Sequence, residues 1–382
     1  MKRWPLAAAF AAGLLLLCPP ARQCLACTVV FASHGEEVLG GNNEDFSYPN
    51  IVMTVVPAGG GRHGVLFFGF DQSWQQGGVN DQGLFFDGLA LPRTTAPARS
   101  KRPAFRGSIL EKAMRECATV KQVVALFSRY RVPFLDKAQL MFGDRSGNSV
   151  IIERDRIIKK HGSYQVATNF RQSGVKRPAC PRYRIARQML GKLRASRRSI
   201  RSVLAAVHNE GAFPTLYSNV YDLKRGKVYL YYFHNYQQEV VLDVEKELAR
   251  SKGRRTVPIA SLFPRQHAAE VFFGRARKKL EAARLALEKK ATPVRHPRDY
   301  LGRYRLLPVE RSVSVGQGRG GLFVEERELG RLRLHRLARD RFSFLLMGRP
   351  CSVRFERDRG GRVTGVAVDI LGEELHGRRV GR

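Results

Sequence analysis

The sequence lacks the usual patterns for holding a metal ion or crossing a membrane. Beyond residue 26 it has four scattered cysteines with no CxxC spacing, and its nine histidines form no cluster. We therefore expect no metal and no other cofactor. After residue 17 there is no apolar run long enough to span a bilayer. Zinc-finger, RNP and basic-zipper motifs are also missing, which argues against a specific nucleic-acid partner.

Acidic residues are scarce relative to basic ones. The 382 residues include 33 Asp and Glu against 67 Lys and Arg, for a formal net charge of +34. This charge predicts nonspecific attraction to anionic surfaces or polymers, and the even spread of the arginines favours that over recognition of one partner. The hydrophobic content of 43% is ordinary for a folded protein. The composition thus predicts a globular chain and no particular oligomeric state.

The first 26 residues have the order of an export signal. Basic Lys2 and Arg3 precede an apolar stretch at 4–17, and small residues lead up to Ala26. This order predicts cleavage after Ala26 and export to the periplasm or the outside of the cell. An uncleaved membrane anchor is the alternative, although the apolar stretch is short for one.

Cleavage there would leave Cys27 first, with a thiol and a free α-amine on one residue. The amine, with a pKa of about 8, lies close enough to take the thiol proton, and the thiolate can attack a carbonyl to form an acyl-enzyme. Two other interpretations stay open at this point. The cysteine could be lipidated, although that signal places leucine three residues earlier, where this chain has Cys24. It could also be an inert buried thiol.

Short motifs follow Cys27 in a defined order. They are CT at 27–28, GGNNED at 40–45, GVNDQGL at 78–84, DGLALP at 87–92, ATNF at 167–170, RYR at 182–184 and YSNVYDL at 217–223. Together they resemble the choloylglycine hydrolase and penicillin V acylase family of N-terminal-nucleophile (Ntn) hydrolases, over about residues 27–260. The resemblance implies an α+β fold, a four-layer αββα sandwich, and hydrolysis of a linear amide C–N bond in a small-molecule substrate.

The resemblance also implies catalytic roles at matching positions. Cys27 would be the nucleophile, and Asp45 would hold the protonation state of its amine or thiol. The side-chain amide of Asn169 and the backbone N–H of Ala90 would stabilise the oxyanion of the tetrahedral intermediate. Arg182 would steady the region of the nucleophile.

Two further positions are expected to contact substrate. Asn42 stands where the family has an arginine beside the nucleophile, so the resemblance implies no guanidinium there. We expect Asn42 to orient the substrate or the amine instead. Arg184 lies two residues after Arg182 and is the second candidate for the arginine of the site.

Changes in composition and in predicted secondary structure divide the chain into four parts. We predict an export signal at 1–26, a catalytic domain at 27–262, a helical linker at 263–297 and a small antiparallel β-barrel-like domain at 298–382. Within the catalytic domain, apolar spacing predicts one helix over 108–128. The last domain has no catalytic grouping, so it would either bind a surface or stabilise the enzyme.

Two other functions fit the same residues. An acyltransferase would use the Cys27 thiol and pass the acyl group to an amine in place of water. A basic envelope protein without catalysis would bind anionic polymers, with an affinity that falls steeply with salt and ignores the loss of Cys27.

Overall fold

The computed structural model describes residues 27–71, 75–94, 102–105, 107–175, 177–307, 311–326, 329–370 and 372–381. The predicted export signal at 1–26 lies outside these residues. None of the helices in the described part of the chain is long and apolar enough to cross a membrane. All four described cysteines are free.

The elements alternate between blocks of strands and blocks of helices. In chain order the strands are β1 Thr28–His34, β2 Glu37–Asp45, β3 Ile51–Val56, β4 Val65–Phe70, β5 Gly77–Asn80, β6 Phe85–Ala90, β7 Ala138–Gly143, β8 Ser149–Ile152, β9 Ile157–Lys159, β10 Tyr164–Ala167, β11 Thr215–Asp222, β12 Lys227–Tyr232, β13 Asn235–Asp243, β14 Arg255–Pro258, β15 Gly302–Leu307, β16 Arg311–Gly318, β17 Gly321–Glu326, β18 Gly330–Arg333, β19 His335–Ala338, β20 Arg341–Leu346, β21 Arg349–Arg357, β22 Val363–Ile370 and β23 Glu373–Gly381. The helices are α1 Ile109–Glu116, α2 Val120–Arg129, α3 Pro181–Lys192, α4 Arg197–Ala206, α5 Val244–Ala249 and α6 His267–Lys290.

The first fourteen strands form two antiparallel sheets that pack face to face. One sheet has the order β10-β1-β2-β11-β12-β13, and the other has the order β14-β3-β4-β5-β6-β7-β8-β9. An apolar core lies between them, α3 and α4 cover the outer face of the first sheet, and α1 and α2 cover the outer face of the second. This confirms the expected four-layer αββα sandwich, because each sheet buries one face on the other and its second face on helices.

Alternation along β2 sends successive side chains to opposite faces of its sheet. Val38 belongs to the core between the sheets and Leu39 to the core under α4. Gly40 and Gly41 follow, where added Cβ atoms would lie 2.9 Å from the Phe85 ring and 2.6 Å from Ile200 Cγ2. The layers on the two sides of β2 therefore pack too closely for a side chain larger than glycine at these two positions. The same parity carries the even positions after Gly41 into the interior between the sheets.

The helix predicted over 108–128 is interrupted, so that prediction was wrong in one respect. Cys117 has extended backbone and ends α1, and Thr119 begins α2 with a reciprocal capping box to Gln122. The apolar spacing continues through the break because both helices pack on one core. Periodicity alone therefore predicted one helix, whereas the threonine cap begins a new one.

The C-terminal nine strands form a third antiparallel sheet, in the order β18-β17-β16-β15-β23-β22-β21-β20-β19. Its two edge strands, β18 and β19, are consecutive in the chain, so the sheet curls into a nearly closed barrel around its own apolar core. The predicted barrel-like fold is confirmed. Helix α6 precedes it and contacts β19, and its Glu288 forms an ion pair of 3.1 Å with Arg333 at the end of β18. The exact domain boundaries stay predictions.

Candidate active site

Cys27 lies directly before β1, with its thiol in the interior between the two sheets. The residue is 5% exposed, and its Sγ lies 3.6 Å from Glu44 Oε1 and 3.9 Å from the carbonyl oxygen of Asp45. Burial raises the pKa of the thiol well above its usual value, and the charges of Glu44, Asp45 and Asp87 raise it further. The thiol therefore stays protonated unless a neighbouring group takes its proton.

A cluster of buried polar groups adjoins the thiol. Glu44 projects from β2, Asp87 from β6 in the opposite sheet and Tyr217 from β11, and all three are buried. Glu44 Oε2, both oxygens of Asp87 and the Tyr217 hydroxyl have no hydrogen-bond partner among the described residues. Burial raises the pKa of Glu44 and of Asp87, and repulsion between neighbouring carboxylates raises both further. The cluster is thus built to retain a proton.

Arg182 joins Cys27 to two other residues with predicted catalytic roles. From α3, its Nη1 donates to the carbonyl oxygen of Cys27 at 2.8 Å and to Thr28 Oγ1 at 2.9 Å, and its Nη2 donates to Asn169 Oδ1 at 3.3 Å. Its Nη1 also lies 3.9 Å from Asp45 Oδ2. A planar guanidinium can serve several acceptors at once, so this one side chain ties the start of β1 to the loop after β10.

Asp45 occupies the opposite face of β2 from Glu44, toward the helix layer. It is 1% exposed, and its Oδ1 accepts a hydrogen bond of 2.5 Å from the Thr215 hydroxyl. Burial raises the pKa of Asp45 to about 7, although the Thr215 hydrogen bond and the charges of Arg182 and His208 lower it. Asp45 Oδ2 has no hydrogen-bond partner among the described residues. A carboxyl in this state titrates near neutral pH.

Asn169 and Ala90 are brought into contact. Asn169 Nδ2 donates to the carbonyl oxygen of Ala90 at 2.9 Å, while its Oδ1 accepts from Arg182. Because an amide nitrogen carries two hydrogens, one remains available for an oxyanion. The side-chain orientation is therefore set from both ends before any substrate arrives.

Asn42 and Arg184 are placed differently from each other. Asn42 is fully buried, and its Oδ1 accepts from Asn219 Nδ2 at 3.1 Å on the neighbouring strand. Its own Nδ2 has no hydrogen-bond partner among the described residues. Arg184 is exposed on α3, outside the set of contacts that Arg182 makes. Arg182 is thus the arginine that reaches Cys27, and the substrate contacts expected for Asn42 and Arg184 stay predictions.

One group of described residues could hold a metal ion. The ligand atoms of His208, Glu210 and His234 lie within 4.8 Å of one another. His208 Nδ1 pairs with the carbonyl oxygen of Ala205 at 2.6 Å, and its Nε2 faces Glu210 Oε1 at 3.2 Å. The two imidazole rings are stacked with an angle of 20° between their planes. Since ligand lone pairs lie in the ring planes, one ring would have to turn before both could bind one metal.

Glu44 and Asp87 have no predicted role, although they lie in the motifs at 40–45 and 87–92. Strand parity is the signal that places the Glu44 side chain between the sheets. Glu44 is at an even position on β2 like Val38, which the apolar pattern places inward. No such local signal exists for Asp87, because its approach to Glu44 depends on how the two sheets face each other.

Comparison with known proteins supports the fold. No family model and no curated protein sequence matches the chain. A solved variant of conjugated bile acid hydrolase from Clostridium perfringens is similar over 63% of this chain and 99% of that one, with 15% identity and a TM-score of 0.50. Penicillin V acylase from Agrobacterium tumefaciens has 16% identity over 58% of this chain and 88% of its own, with a TM-score of 0.45. The bile acid hydrolase shows that the chain has an Ntn-hydrolase fold, and identity this low shows the fold alone.

Proposed function

We propose that this chain is an exported hydrolase of a linear amide C–N bond, working through an acyl-enzyme on Cys27. The observation that carries the proposal is the guanidinium of Arg182. It holds the backbone of Cys27, orients the Asn169 amide and pairs with Asp45, so the candidate nucleophile, oxyanion donor and carboxylate share one anchor. Because one side chain holds all three groups, their relative positions are set before substrate binds, which favours acyl transfer through orientation.

The reaction would proceed in two steps. In the first, Cys27 Sγ forms a bond to the amide carbonyl carbon, the oxyanion receives a hydrogen bond from Asn169, and the C–N bond breaks to release an amine. In the second, water attacks the thioester carbon, the C–S bond breaks, and the carboxylic acid leaves. The α-amine that maturation frees would take a proton from this water and pass it to the sulfur.

The charge of the site supports a free α-amine at Cys27. Glu44, Asp45 and Asp87 are all buried around the start of β1, and among the described residues their ion pairs are limited to that of Asp45 with Arg182. Buried carboxylates are stabilised by a nearby cation. Cleavage after Ala26 would supply one, because it converts the peptide nitrogen of Cys27 into an ammonium group.

Mass spectrometry of the purified mature protein tests the proposal. We expect the N-terminus at Cys27, and an acyl adduct of this residue during turnover of simple N-acyl amines. The matched variant Cys27→Ser keeps the size of the side chain and should lose the adduct and the amidase activity. A mature chain that begins elsewhere would overturn the proposal. Transfer of the acyl group to added amines, in place of hydrolysis, would identify the chain as an acyltransferase.

A further inference from the structure

The contact between Cys27 and Glu44 has no counterpart among the predicted roles. Glu44 Oε1 is 3.6 Å from Sγ, and the side chain lies in the closed interior between the two sheets. On the same face of β2, Asn42 carries a neutral amide whose oxygen accepts a hydrogen bond from Asn219. The thiol therefore faces a carboxyl group on this side, and position 42 supplies no positive charge.

We propose that Glu44 is a catalytic residue that accepts the proton of the Cys27 thiol when sulfur attacks the carbonyl carbon. The inference rests on Cys27 acting as the nucleophile proposed above. A site with no guanidinium at position 42 cannot stabilise a thiolate by charge from that side. It can avoid a free thiolate if the proton moves to an adjacent carboxylate as the S–C bond forms.

The proton and electron counts close over one acylation. The S–H bond breaks, its proton goes to Glu44 Oε1, and the electron pair left on sulfur forms the bond to carbon. When the C–N bond breaks, the proton passes from Glu44 to the departing amine, which restores the carboxylate. The α-amine of Cys27 then remains available to assist water in the second step.

The surroundings of Glu44 make its carboxylate a stronger base than an exposed one. Burial and the charge of Asp45 raise its pKa, and the hydrogen bond from Cys27 lowers it. The titratable groups that face this interior from the adjoining strands are Cys27, Asp87, Tyr217 and Tyr221. Glu44 in turn raises the pKa of Asp87, which approaches from the opposite sheet.

The test compares Glu44→Gln with the control Glu153→Gln, which makes the same change at another buried glutamate. Glu153 directly follows β8 and accepts hydrogen bonds from the backbone N–H groups of residues 172 and 173. The measurement is the rate of Cys27 acylation by p-nitrophenyl acetate at pH 7.5, followed by mass spectrometry of the peptide that carries residue 27. We expect a fall of about 10²-fold or more in Glu44→Gln and a change below about twofold in Glu153→Gln. Circular dichroism checks that both variants fold.

The sign of the effect separates proton transfer from plain repulsion. If Glu44 only repels the thiolate, its replacement by glutamine lowers the pKa of Cys27, and acylation at pH 7.5 becomes faster. An unchanged or faster rate in Glu44→Gln would therefore overturn the inference.

The same rates are measured in a chain that retains Ala26, where residue 27 has no free α-amine. Loss of acylation in Glu44→Gln relative to this parent would support Glu44 as the proton acceptor, whatever the natural N-terminus is. Two results together would identify the α-amine as the acceptor of the thiol proton. The chain that retains Ala26 would show no acylation, and Glu44→Gln would not change the acylation rate of the mature chain. That outcome would reject the role of Glu44 and leave the proposed function standing.

Discussion

Asp45 offers a quantitative test of how the site is buried. We consider the substitution Asp45→Asn in the chain that retains Ala26, because residue 27 then carries no charge. Asparagine keeps the shape of the side chain, and its oxygen can still accept the hydrogen bond from Thr215. The two proteins therefore differ mainly in whether position 45 can bind a proton.

The magnitude follows from the change in proton affinity on folding. The pKa of Asp45 rises from 3.8 to about 7 because the side chain is buried. The folded protein thus binds more protons than the unfolded chain between these values, and stability falls as pH rises through them. At about 1.4 kcal/mol for each tenfold change in affinity, the parent should lose about 4 kcal/mol relative to Asp45→Asn. This stabilisation is fully present below pH 3.8 and gone above pH 7.

Urea unfolding followed by circular dichroism, at intervals from pH 4 to pH 8, measures the difference. Carboxyl groups common to both proteins largely cancel, so the gap between the two curves isolates position 45. Parallel curves that stay within about 1 kcal/mol of each other would refute the reasoning, because the burial of Asp45 would then not affect its titration. In a chain beginning at Cys27, the α-ammonium should reduce the gap.

Three further predictions concern the anchor, the oxyanion donor and the core. Arg182→Lys removes a guanidinium that donates to several acceptors and should lower the free energy of unfolding by about 1.5–3 kcal/mol in urea titrations. The control Arg184→Lys, on the exposed face of the same helix, should change it by less than about 0.5 kcal/mol. Asn169→Ala should slow acylation of Cys27 by about 10²–10³-fold in burst experiments and leave alkylation of the Cys27 thiol unchanged. Equal losses of acylation and alkylation would contradict the proposed oxyanion role of Asn169. Gly143→Ala places a Cβ 2.5 Å from two phenylalanine rings. This overpacking should destabilise the fold by about 1–3 kcal/mol and lower the melting temperature. The control Gly59→Ala, whose Cβ would have nothing within 4 Å, should leave the melting temperature unchanged.

The basic character of the chain is independent of this chemistry. The excess of Lys and Arg gives a net charge of +34, yet the buried groups nearest the Cys27 thiol are carboxyls. Nonspecific attraction to anionic surfaces or polymers stays a prediction, to be checked by salt-dependent binding of the Cys27→Ala variant. An affinity that does not fall with salt would contradict it.

Local patterns predicted much of the framework. Apolar runs between turn residues predict strands at 51–56, 65–70 and 215–222, and the structure has strands with these bounds. The sequence also predicts a helix from Arg182, and α3 begins one residue earlier. The strand β23 was not predicted, because its apolar residues Leu375 and Val380 stand among charged residues and glycines without alternation.

Three features can be read from the sequence without a structure. They are the order of the motifs, a cysteine after a leader-like segment, and the alternation that separates Glu44 from Asp45 on β2. These depend on covalent neighbours and on the twofold period of a strand, which any isolated segment carries. That Arg182 rather than Arg184 reaches Cys27 depends on the tertiary fold, because the sheet beneath α3 sets which face of the helix is docked. The electrostatic interaction of Asp87 with Glu44 also depends on it. The two residues belong to different sheets, and the packing of one sheet on the other sets which side chains share the interior.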